Sequence, residues 1–87
     1  MMPNITVNIV GGTQQENTSA VTIGNVRWGL NGTANFGQPQ NVPNGNQKLT
    51  VYKTTEPREI IGYVEVRGVD TTLNITVNND SIIVEEA

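Results

Sequence analysis

Apolar side chains fall on every second residue through most of this chain, and a period of two leaves little but β-structure open to it. In NITVNIV (4–10), Ile5, Val7 and Ile9 lie on one side of an extended backbone, and Asn4, Thr6 and Asn8 lie on the other. The pentapeptide NITVN returns at 74–78, where Leu73, Ile75 and Val77 alternate with Asn74, Thr76 and Asn78. Ile, Val and Thr suit a pleated, half-buried surface. Each copy is therefore predicted to be a strand with one dry and one wet face. The sequences flanking the two copies match poorly, so the repeat is read as a shared shape rather than a duplicated unit.

The alternation continues between the copies. AVTIGNVRW (20–28) places Val21 and Ile23 on one face, then shifts parity at Gly24 and resumes with Val26 and Trp28, the pattern expected of a β-bulge. KLTVYK (48–53) turns Leu49 and Val51 inward and Lys48, Thr50 and Tyr52 outward. EIIGYVEVR (59–67) aligns Ile60, Gly62, Val64 and Val66 against Ile61, Tyr63, Glu65 and Arg67, and SIIVE (81–85) buries Ile82 and Val84. Turn-forming residues separate these runs: Pro57 within 54–58, GVDT at 68–71, and Asn79-Asp80 within 78–81. Residues 48–86 are thus predicted to form a four-strand antiparallel meander, with a further short strand near Ala34–Phe36. No segment carries a helical period. The prediction is an all-β fold, a small antiparallel β-sandwich of about six or seven short strands, in a single domain over residues 1–87. A chain of this length has material for one core.

Cys and His are both absent, which excludes disulfides and ordinary zinc sites, and no cofactor or metal is expected. Eight acidic against five basic residues make the chain mildly acidic, unfavourable for contact with a phosphate backbone. No apolar run approaches the ~20 residues of a membrane-spanning helix. The start MMPNITVNIV has no basic flank ahead of an apolar run, so a cleaved signal peptide is not expected; synthesis in the cytoplasm, with a final place in a virion, is the expected localisation. Five N-x-[ST] triplets, at Asn4, Asn17, Asn31, Asn74 and Asn79, follow from wet faces built of Asn and Thr.

Catalysis is not expected. The most common general base and the best nucleophile are missing. The carboxylates that could replace them (Glu56, Glu59, Glu65, Asp70 and Asp80) fall in turns, at a strand start or on a wet face. The NNDS turn is too tight to wrap a calcium ion.

One stretch stands apart. WGLNGTANFGQPQNVPNGNQ (28–47) has no charged side chain and carries five Asn, three Gln, four Gly and two Pro around Trp28, Leu30 and Phe36. Either it is a solvated connection whose aromatics plug the core, or it is a contact surface for a neutral partner. Amides both donate and accept hydrogen bonds, and aromatic faces cover apolar C–H surface. The binding candidates are Trp28, Asn31, Asn35, Phe36, Gln38 and Gln40. Asn and Thr also replace the charged side chains that guard sheet edges, and residues 4–10 are expected to be a weakly guarded edge. These features point to a non-catalytic structural or assembly protein that is homo-oligomeric or part of a larger protein assembly. By analogy of composition, a virion component such as a capsid-decorating or tail protein fits. The alternative is a small lectin-like module that binds neutral glycans through Trp28 and residues 29–47.

Overall fold

The computed structural model describes residues 2–87, and the protein is a β-sandwich of two four-stranded sheets. In chain order the strands are β1 (Asn4–Gly11), β2 (Thr18–Ile23), β3 (Val26–Gly29), β4 (Pro39–Asn41), β5 (Gly45–Lys53), β6 (Glu59–Val66), β7 (Thr71–Val77) and β8 (Ile82–Glu86). One sheet runs β4-β1-β7-β8 and the other β3-β2-β5-β6. The two inner faces follow the alternation. Ile5, Val7, Leu73, Ile75 and Val77 from the first sheet meet Val21, Ile23, Trp28, Leu49, Val51, Ile60 and Val66 from the second, all of them buried.

The sandwich is as expected, but its connections differ in four respects. Residues 48–86 are not one meander: β5 and β6 pair in one sheet, β7 and β8 in the other, and residues 67–70 carry the chain between them. Crossing there lets β7 turn its apolar row to the core from the other sheet instead of extending that of β5 and β6. Among the described residues the strands number eight, because 20–28 is a hairpin rather than one bulged strand. Ile23 pairs with Val26 across Gly24-Asn25, and Gly24 has φ 59°, the glycine-first two-residue turn that joins twisted strands without splaying them. Such a turn reverses parity just as a bulge would. The irregularities of register lie instead between Ile9 and Gly11 and between Thr18 and Ala20. The short strand is at Pro39–Asn41, while Ala34 makes only a single bridge to Trp28.

The last difference concerns β1. It is an interior strand, paired antiparallel to β4 through Asn4–Thr6 and parallel to β7 along most of its length. Beyond β4, the Val7 carbonyl accepts from the Gly37 N–H and the Ile9 carbonyl from the Gln15 side chain. Residues 4–10 are therefore not a free edge. The wet face of an interior strand and of an edge strand read alike, since side-chain period carries no information about backbone neighbours.

One end of the sandwich is pinned by polar side chains. The Gln14 N–H donates to the Val77 carbonyl at 2.9 Å, and its Oε1 accepts from Asn17 Nδ2 and Thr55 Oγ1. Lys53 continues the inward row of Leu49 and Val51, and its ammonium is buried, donating to the Asn79 carbonyl in the β7–β8 turn. Lys53 thus ties one sheet to the other where the apolar core ends.

Candidate functional site

The amide-rich stretch proves to be a strap across one side of the sandwich. Leaving β3 at the edge of one sheet, residues 30–38 travel to β4 at the edge of the other. Gly29 has φ 90°, and a Cβ there would lie 2.6 Å from the Ser19 carbonyl oxygen, so the strap leaves β3 through a backbone shape that only glycine fills without strain. The Leu30 N–H donates to that same carbonyl, and the Gly29 N–H donates to the Ala34 carbonyl. Asn31 takes φ 63°, which asparagine tolerates better than most residues.

Several of the strap's polar groups bond within it or to the strands at its two ends. Trp28 is wholly buried, and its indole N–H donates to the Gln38 carbonyl at 2.8 Å. Gln38 Oε1 accepts from the Asn35 N–H at 3.0 Å. Gln40 uses both ends: its Nε2 donates to the Arg27 carbonyl at 2.7 Å, and its Oε1 accepts from Thr33 Oγ1 at 2.6 Å. Phe36 packs half-buried against the core.

Of the six candidates named from sequence, Trp28 is corrected outright, because a wholly buried indole offers no face to a ligand. Its size and its core-facing parity bury it, and the strap's backbone covers its polar edge. Asn31 and Gln40 do come together, with Asn25, Arg27, Thr33 and Asn41, around an open depression of about 480 Å³ beside the β2–β3 turn. Asn35, Phe36 and Gln38 lie outside it. Within the depression, the Asn41 side chain donates to Asn4 Oδ1 at 2.6 Å. The Arg27 Nε donates to the Leu30 carbonyl at 2.7 Å, with its guanidinium 4.8 Å from the centroid of the Tyr52 ring. Asn25 and Asn41 were not singled out from sequence, because only the β2–β3 hairpin and β4 bring them together with Arg27.

The opposite side of the sandwich has no strap. There β6 and β8 are the terminal strands of their sheets, and the Ile82 Cδ1 would be 3.4 Å from a Cβ built at Gly62. An exposed ion pair, Arg67 to Glu86 at 2.6 Å, spans the gap. The β6 edge is the longest of the four, eight residues without proline, lysine or a register shift. Ile61 and Tyr63 stand on its outer face, 52% and 66% exposed. Sequence reasoning put these two side chains on the wet face but did not recognise that their strand ends a sheet.

Among the described residues, no helix is long and apolar enough to cross a membrane. No protein-family model, curated protein or solved structure matches the chain.

Proposed function

We propose that the protein is a non-catalytic structural component that assembles with copies of itself. The observation that carries this reading is the asymmetry of the sandwich. One side is closed by a strap hydrogen-bonded to the strands at its ends, and the other leaves a long strand edge beside exposed Ile61 and Tyr63. A long edge without proline, lysine or a bulge is a template for pairing with another chain. Light scattering of the isolated protein over a concentration series tests the reading: the mass rises with concentration if it is right, and a constant monomer mass overturns it. Membership of a virion shell or tail is the narrower form of this proposal, supported by the Asn- and Thr-rich wet faces, and its test is co-purification of the chain with particles.

The second reading, a neutral-glycan module, moves from Trp28 to the depression lined by Asn25, Asn31, Thr33, Gln40 and Asn41. Its support is the uncharged lining beside a single Arg27, in which the Asn25 and Asn31 amides stand next to Thr33, Gln40 and Asn41 already bonded within the protein. A glycan array tests it, with Asn31→Gly as control, which removes the amide while keeping the backbone conformation.

A further inference from the structure

We propose that two copies of the chain join β6 to β6, antiparallel and centred on Tyr63, so that two four-stranded sheets become one continuous sheet across a two-fold axis. This rests on the self-assembly reading above and names the surface and register that serve it.

The backbone sets which groups are available. The Lys53 N–H donates to the Arg58 carbonyl at 2.8 Å, and the β5–β6 register continues without a shift from Tyr52↔Glu59 to Gly45↔Val66. In an antiparallel pair, alternate residues turn both backbone groups to the same neighbour. Arg58, Ile60, Gly62, Val64 and Val66 therefore face β5, while Glu59, Ile61, Tyr63 and Glu65 turn their N–H and C=O groups to the open edge. Pairing centred on Tyr63 sets Tyr63 against Tyr63, Ile61 against Glu65 and Glu59 against Arg67. All of these belong to the outward-turned set or its continuation, so the ladder closes with the groups available.

Charge selects this register over its neighbour. Centring one residue earlier, on Gly62, would place Glu59 directly opposite Glu65, and like charges directly opposite are unfavourable. Centring on Tyr63 instead places an acid opposite a base twice, once at each end of the ladder. It also brings the two Tyr63 rings side by side on the outer face, each next to an exposed Ile61, as cross-strand aromatic pairs prefer.

The other edges are less suited. β4 is three residues long and includes Pro39, β3 is four residues with Trp28 bridged to Ala34, and β8 ends in Glu85 and Glu86. A second copy is the occupant that charge favours: Arg67, one residue past β6 and 60% exposed, would exchange its solvent-exposed pairing with Glu86 for Glu59 of the second copy.

The test uses the full chain and sedimentation velocity in a series reaching about 1 mM, because a strand pair sits at the small end of interface sizes. Three variants are compared with the unchanged protein. Tyr63→Pro removes an N–H that faces away from β5, a position where an edge strand accepts proline. It should weaken association by about tenfold or more while circular dichroism stays that of the folded sandwich. Glu59→Arg and Arg67→Glu each place like charges opposite in a homodimer, so each alone should associate several-fold more weakly. Their one-to-one mixture should recover association as a heterodimer, because each mismatch then meets its opposite. Recovery in the mixture is the expected result and needs no assumption about proline. If the unchanged protein associates but the charge variants associate equally well, or the mixture shows no recovery, the β6 pairing is wrong while self-assembly stands. If the unchanged protein is monomeric throughout, self-assembly itself falls, and the pairing with it.

Discussion

Asn8 and Asn74 lie side by side on parallel strands, and Asn8 Nδ2 donates to Asn74 Oδ1 at 3.2 Å. They are the last residue of the first NITVN and the first residue of the second. The two copies are thus neighbours in space, displaced by four positions rather than aligned, with Thr6 beside Thr72 and Val7 beside Leu73. Their wet faces merge into one uncharged surface, continued at the far edge by Asn4 and Asn41. Their dry faces form the floor of the core.

Replacing Ile75 by Asn should cost about 2–4 kcal/mol, since Ile75 is wholly buried and the new amide would find no partner among apolar neighbours. Asn74→Thr alters only the wet face and one partly buried hydrogen bond, and should cost about 1 kcal/mol or less. Denaturant midpoints at constant m-value measure the difference. Equal midpoints would contradict the facing assigned to β7.

Adjacent glycines should respond in opposite directions. A Cβ at Gly12, where φ is 100°, would lie 2.1 Å from the Val77 carbonyl oxygen, so Gly12→Ala should destabilise by about 2 kcal/mol or more. At Gly11 a Cβ meets nothing within 4 Å and φ is ordinary, so Gly11→Ala should be neutral or should stabilise by up to about 1 kcal/mol. Thermal midpoints of the two variants decide it.

Lys53 is a buried cation with its ammonium on the Asn79 carbonyl, and its stem packs between the sheets. Lys53→Ala should lose about 2 kcal/mol, from both the packing of the stem and the bond. Lys53→Met keeps most of the stem and should lose about half as much. If the two variants unfold at the same denaturant concentration, the stem contributes nothing and the closure of this end has been misread.

The strap should behave as structure. Gln40→Ala removes two hydrogen bonds, to the Arg27 carbonyl and from Thr33, and should destabilise by about 1–2 kcal/mol. Asn35→Ala should change stability by less than about 0.5 kcal/mol, because Asn35 bonds to Gln38 through its backbone N–H and its side chain is exposed. Chemical unfolding of both variants checks this. Trp28→Phe separates the roles of the indole: loss of stability without change in association is the outcome its burial requires.

Alternation along the chain determined by itself most of the dry side chains between Ile5 and Val84, but not Val42, which is wholly buried just after β4, nor Ala20 and Thr50, which are buried off the apolar rows. That information is local, because a pleated backbone turns successive side chains to opposite faces whatever lies beside it. Which strands lie beside one another is not local. β1 next to β7, the chain crossing sheets at residues 67–70, and β6 left at an edge all follow from how two apolar faces close over each other. The same limit applies to the candidate residues. Composition marked residues 28–47 as unusual, but only tertiary structure could bury Trp28, turn Gln38 onto its own loop and Gln40 onto β3, and gather Asn25, Arg27 and Asn41 around the depression. A polar side chain is free for a partner only if no backbone group reaches it first, and the path of the strap decides that.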